Sequence, residues 1–126
     1  MKRVLYVDDD DALTELAELL LDAADIEMLA FQQGEDAVSA APAFAPQLLL
    51  LDKEMPGMDG PQTLAALRGL PECADVPAVF MTADTAPESV AALLASGAIA
   101  VISKPIEPAQ FVGQLQSAWE KAQTVS

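Results

Sequence analysis

The chain has 126 residues, a net charge of −14 and no histidine, with 52% hydrophobic and 21% charged residues. That describes one globular domain able to bury a core unaided, with too little clustered positive charge for direct nucleic-acid binding. The missing histidine excludes imidazole acid–base catalysis, histidine metal ligation and a histidine phosphoacceptor.

A single cysteine, Cys73, permits no internal disulfide and fits a reducing cytoplasm. No apolar run approaches the roughly 20 residues of a membrane span, so no membrane association is expected. The basic start MKRVLYV is too short in apolar residues for a signal peptide. The charge is uneven: residues 1–60 carry 14 acids and 3 bases, residues 61–126 only 6 and 3.

RVLYV (3–7) reads as a buried strand and runs straight into Asp8, Asp9, Asp10 and Asp11. Adjacent carboxylates raise one another's pKa, so stability does not ask for them. Either they are solvated at a loop, or something positive sits among them. Asp11 is placed as the N-cap of a first helix whose apolar positions Leu13, Leu16, Leu20 and Ala23 recur at three and four, with Asp10 a solvated neighbour. IEMLAF (26–31) is the second strand, followed by a short helix over Glu35–Ala41 that stops before Pro42. QLLLL (47–51) and PAVFM (77–81) are apolar nearly throughout, as strands covered on both faces of a parallel sheet tend to be. Between them Asp59-Gly60-Pro61 opens a third helix carrying Leu64 and Leu67. Cys73, in LPECADVP, reads as incidental. Thr85-Ala86-Pro87-Glu88 has capping-box spacing for a fourth helix with Val90, Leu93 and Leu94 on its face and Gly97 past its end. AIAVI (98–102) is the fifth strand, and Pro108 begins a fifth helix with Phe111, Leu115, Ala118, Trp119 and Ala122 inward.

Strand and helix alternate five times, which predicts an α/β fold: a five-stranded parallel sheet flanked by five helices. Ligands bind such sheets outside the carboxyl ends of the strands, so the residues after each strand matter most. The first strand ends in Asp8-Asp9, the third in Asp52, the fourth in Thr82, and Lys104-Pro105 follows the fifth. The second ends in the chemically quiet Phe31-Gln32-Gln33. Three carboxylates suit a hard cation such as Mg²⁺. A carboxylate can also attack phosphorus to form an aspartyl phosphate, whose oxygens an ammonium and a hydroxyl would then hold.

The stretches VDD (7–9), LLLDKEMPGMDG (49–60), FMTAD (80–84) and SKP (103–105) resemble the receiver domain of two-component response regulators, in order and over essentially the whole chain. The resemblance implies the flavodoxin-like doubly wound sheet of order 2-1-3-4-5. It also implies that Asp52 is the phosphoacceptor. Asp8, Asp9, Asp52 and the backbone carbonyl of Glu54 would hold Mg²⁺ (or Mn²⁺), Asp9 more directly than Asp8. Thr82 would be the switch hydroxyl, Lys104 the phosphate-binding cation, and the bond before Pro105 cis. Glu54 and Asp84 fall where receivers tune the lifetime of the phosphoryl group. One position departs from the pattern: Val101 stands where many receivers carry the Tyr or Phe of the switch.

The functional expectation is a cytoplasmic receiver over residues 1–126, with no output domain and no turnover of an external substrate. A sensor histidine kinase or a histidine phosphotransfer protein would supply the phosphoryl group. A downstream partner would dock on the face of the fourth helix, fifth strand and fifth helix, where Ala91, Ala92, Ser96, Gln110, Gln114 and Ser117 are small or neutral. A homodimer is allowed. The alternative is a phosphorelay intermediate or phosphate sink without output of its own. An aspartate-nucleophile phosphatase of the haloacid dehalogenase type would want Asp two residues after the nucleophile, where this chain has Glu54. The intact Asp9, Asp52, Thr82 and Lys104 argue against an unphosphorylated pseudo-receiver.

Overall fold

The protein is described here by a computed structural model covering residues 1–124. Five strands, β1 (Arg3–Val7), β2 (Glu27–Phe31), β3 (Leu48–Asp52), β4 (Ala78–Thr82) and β5 (Ala100–Ser103), form one parallel sheet in the order β2-β1-β3-β4-β5. Side chains alternate across a strand, and here each set meets its own apolar layer. Val4, Tyr6, Leu48, Leu50, Val79, Met81 and Ile102 cluster with Ala17 and Leu21 of α1 (Asp11–Ala23) and with Phe111 and Leu115 of α5 (Phe111–Thr124). Leu5, Val7, Leu49, Leu51 and Phe80 turn the other way. They cluster with Ala37 and Ala41 of α2 (Gly34–Phe44), Leu64 and Leu67 of α3 (Gly60–Arg68), and Leu93 of α4 (Pro87–Ala95). β3 and β4 are buried at every position, which accounts for their unbroken apolar sequences. This is the flavodoxin-like doubly wound fold, with the predicted strand order.

β1 coincides with its apolar run, while β2 to β5 start one or two residues later than theirs, and β3, β4 and β5 also end one residue later. Asp52 and Thr82 consequently belong to the ladders, paired with Met81 and Ser103. Their backbones are fixed by the sheet while their side chains stand at its rim.

Five local expectations are corrected. Asp10, not Asp11, caps α1: its carboxylate accepts the Leu13 N–H at 3.1 Å. Asp11 is the first helical residue and binds Gln32 instead. α2 runs through Pro42 to Phe44, because the burial of Ala41 and the packing of Phe44 against the core offset the hydrogen bond and the close ring contact that proline costs. The Thr85–Glu88 capping box does not form; the N-cap is Ala86, with no side-chain bond. Asp84 organises that turn, accepting the Ala86 N–H at 3.1 Å and the Ser89 hydroxyl at 2.7 Å. Pro108 lies in a turn, and α5 begins at Phe111, whose N–H reaches Glu107. Ala23, expected inward on α1, is exposed.

Asp59 opens α3 as expected, in a reciprocal capping box with Gln62. Cys73 is buried in a 3₁₀ turn at Pro71–Cys73, where burial pushes its thiol pKa up and away from reactivity.

Candidate functional site

β1 and β3 are neighbours, but α1 leaves toward one face of the sheet and α3 toward the other. A crevice must open beyond their carboxyl ends. It is a cavity of about 460 Å³ whose walls include Asp9, Asp52, Glu54, Thr82, Asp84 and Lys104. Asp8 lies beneath the floor, 1% exposed. Asp8, Asp9 and Asp52 each bring a carboxylate oxygen within 4.8 Å of the others.

One cation answers this charge directly. Lys104 Nζ sits 2.9 Å from Asp52 Oδ1 and 3.4 Å from Asp8 Oδ2, just before a cis bond to Pro105. Burial pushes the Asp52 carboxyl up to about 6; the Lys104 hydrogen bond pulls it down, and the charge of Asp8 pushes it up again. Burial alone would lower the Lys104 ammonium, but Asp52 and Asp8 outweigh it and hold the pKa raised, so the lysine stays charged. Asp8 is held from below and beside: the Tyr6 hydroxyl donates to Oδ2 at 2.8 Å and the Asp10 N–H to Oδ1 at 2.9 Å. Burial first, then the Asp8 charge, raises the Tyr6 phenol above its ordinary pKa, so it remains a donor.

Across the cavity, the buried Thr82 hydroxyl accepts the Asp84 N–H at 3.0 Å. Asp84 also pairs with Lys53 at 3.6 Å, and its bond from Ser89 does most to hold its carboxyl below the usual value. The Glu54 N–H points to Asp52 Oδ1 at 3.4 Å, and its side chain is exposed. Gly60 makes a glycine necessary: a Cβ there would lie 2.4 Å from the Asp52 carbonyl oxygen and 2.9 Å from Phe80. The helix start can therefore press directly on the strand end that carries Asp52. Val101 is outside the cavity wall. On β5 it pairs with Phe80 of β4, half-buried against the layer of α2, α3 and α4, on the same side of the sheet as Thr82.

Residues 4–116 match the response regulator receiver domain family. The chain is a member of that family. Over 116 residues it is 34% identical to the DNA-binding response regulator MtrA of Mycobacterium tuberculosis, covering 92% of this chain and 50% of MtrA. It is 37% identical over 112 residues to the sensor protein GacS of Pseudomonas syringae, covering 86% of this chain and 12% of GacS. The chemotaxis protein CheY4 of Vibrio cholerae superposes with a TM-score of 0.88 at 27% identity, over 94% of this chain and 98% of CheY4. The chain thus spans about half the length of the curated MtrA relatives it matches.

Receivers are signalling modules that generally bind Mg²⁺ in an acidic pocket. The donor set fits: Asp8, Asp9 and Asp52 offer only hard oxygen ligands, and no thiol or imidazole stands among them. Tyr6, Lys53 and Ser89 join this receiver's site without having been singled out in the sequence. For Tyr6 a signal existed, because positions 6 and 8 of an extended strand share a face. Lys53 and Ser89 become visible only once the loops bring them to Asp84.

Proposed function

We propose that this receiver takes a phosphoryl group from a phosphohistidine donor onto Asp52 and signals by protein contact. The observation that carries the reading is an Asp52 side chain bonded to Lys104 at 2.9 Å, inside a cluster of acids that one lysine does not neutralise. Asp8, Asp9, Asp52 and the backbone carbonyl of Glu54 are the residues to hold Mg²⁺ (or Mn²⁺), Asp9 more directly than Asp8. When bound, the cation supplies countercharge to the carboxylates and the phosphoryl oxygens. An Asp52 oxygen attacks phosphorus as the P–N bond of the donor breaks, and the departing imidazole nitrogen keeps the electron pair. Lys104 then pairs with the new phosphoryl oxygens, and the Thr82 hydroxyl donates to one of them while still able to accept from Asp84. Hydrolysis ends the signal, with Glu54 and Asp84 at the cavity wall setting its lifetime. The protein modifies itself and turns over no external substrate.

A sensor histidine kinase or histidine phosphotransfer protein is the donor, in the cytoplasm; among the described residues no helix is long and apolar enough to cross a membrane. Output runs through the face of α4, β5 and α5, where Ala91, Ala92, Ser96, Gln110, Gln114 and Ser117 are all exposed. That surface also suits a homodimer. The net charge of −14 leaves these residues without the cationic cluster that phosphate-backbone contacts need. The comparisons lend no support to excluding nucleic acid more widely, since the MtrA relatives are named DNA-binding.

Val101 favours a second reading. It has neither ring nor hydroxyl, so Thr82 and the start of α4 carry any conformational readout alone. A phosphorelay intermediate or phosphate sink needs no such readout. Partner capture with and without phosphorylation separates the two. The central test is incubation with Mg²⁺ and a small acyl phosphate, followed by intact mass. Wild type gains one phosphoryl group and Asp52→Asn gains none; labelling of the variant, or none of wild type, refutes the reading.

A further inference from the structure

Tyr6 is the only tyrosine of the chain, and it is wholly buried in β1. Phenylalanine would fill nearly the same volume without a polar atom to satisfy, so the hydroxyl contributes nothing to the core by itself. It donates instead to Asp8 Oδ2 at 2.8 Å. Asp8 is 1% exposed, so water does not orient its carboxylate. Three protein donors do: the Tyr6 hydroxyl, the Asp10 N–H at 2.9 Å on Oδ1, and Lys104 Nζ at 3.4 Å on Oδ2. Lys104 is the loosest of the three, being closer to Asp52 at 2.9 Å and carried by a long flexible stem. The tyrosine ring, packed in the layer beneath α1 and α5, cannot follow it.

We propose that Tyr6 is the positioning residue of the cation site: its hydroxyl fixes the Asp8 carboxylate in the orientation from which it joins Asp9 and Asp52 around a divalent cation. The proposal rests on the reading of this site as a metal-dependent phosphoryl acceptor. Without the hydroxyl, Asp8 Oδ2 keeps only Lys104. The carboxylate then turns toward the ammonium, tightens that pair and withdraws from the cation. Groups that orient metal ligands from behind commonly contribute roughly ten- to a hundredfold in affinity.

Calorimetric Mg²⁺ titration of the full chain, wild type against Tyr6→Phe, tests this, together with the tyrosine absorption difference spectrum of wild type. The variant binds Mg²⁺ at least about tenfold more weakly. In an Asp8→Asn background the same change costs under about twofold, because Tyr6 acts only through Asp8. In wild type, Mg²⁺ perturbs the absorption of the sole tyrosine, a readout that does not depend on any variant folding. The proposal is overturned if Tyr6→Phe binds Mg²⁺ within about twofold of wild type, or if Mg²⁺ leaves the wild-type tyrosine spectrum unchanged. Failure of wild type to bind Mg²⁺ and to take label from an acyl phosphate is a different result: it removes the receiver chemistry itself, and this proposal with it.

Discussion

Replacing Asp52 by asparagine is expected to stabilise the protein at neutral pH in the absence of divalent cation, and to leave it unchanged in acid. The carboxyl rises from its ordinary 3.8 to about 6 because burial strips its water; Lys104 pulls it down and Asp8 pushes it up, but together they do not cancel the burial. A group with a raised native value stabilises the fold while protonated. Its contribution is whole below about pH 4 and is lost as the pH climbs through about 6. At roughly 1.4 kcal/mol per unit, the ionised carboxylate costs the empty site at most about 3 kcal/mol. Asparagine keeps the shape but gives up the charge on the 2.9 Å bond to Lys104, so the net gain is about 1–2 kcal/mol. Urea unfolding with a chelator present, at about pH 8 and at about pH 4, measures it. Mg²⁺ added at the higher pH should raise wild type and close most of the gap. A variant no more stable than wild type at about pH 8, or an advantage that does not shrink on acidification, would refute the electrostatic account.

Other outcomes follow from single contacts. Asp10→Ala should cost about 1 kcal/mol in urea unfolding, and Asp11→Ala only a few tenths, because Asp10 alone caps α1; equal losses would contradict the cap assignment. Gly60→Ala places a Cβ 2.4 Å from a backbone oxygen and should destabilise by about 2 kcal/mol or more, with slower labelling of Asp52. Wild-type melting of that variant would show that the helix start can withdraw freely. Ala92→Glu with Gln114→Glu lies on exposed positions and should leave unfolding within about 0.5 kcal/mol while abolishing phosphorylation-dependent association. Survival of every such association would move the output surface elsewhere.

The sheet was legible because β3 and β4 are covered on both faces, which forces an unbroken apolar run that little else produces. The site was legible for a related reason. A parallel sheet puts all its carboxyl ends on one edge, so the polar residue ending each run had to meet the others. What failed was fine placement within acid-rich or small-residue stretches. Asp10 and Asp11 are equally good caps by residue type, and one residue of helix phase decides between them. Thr85 and Glu88 have capping spacing, yet the helix starts one residue later at an Ala86 N-cap, in a turn that Asp84 holds through the Ala86 N–H and the Ser89 hydroxyl. Pro42 is a helix breaker by backbone chemistry, but the aromatic ring two residues on is anchored in the core and holds the last turn. At Pro42 a tertiary contact outweighed a local preference, whereas at Asp10 and Asp84 one local hydrogen bond won over another.

The tension at Asp52 explains the rest of the local design. On the proposed reading of Asp52 as the phosphoacceptor, a side chain whose charge destabilises the cation-free fold serves transfer chemistry only if its oxygens cannot drift from the place where phosphorus will arrive. The backbone at 52 is therefore immobilised three ways: by the ladder to Met81, by the Gly60 N–H bonded to the Lys53 carbonyl at 2.9 Å, and by the capping box at Asp59 that starts α3 against it. None of these contacts depends on the ionisation of Asp8, Asp9 or Asp52. The scaffold stays rigid while the charge it carries is left unsettled, and a divalent cation or a proton can supply what Lys104 alone does not. If that division is right, charge-changing substitutions at Asp8, Asp9 or Asp52 will shift cation affinity and pH dependence and leave the cooperativity of unfolding intact, whereas Gly60→Ala will broaden or weaken unfolding at every pH.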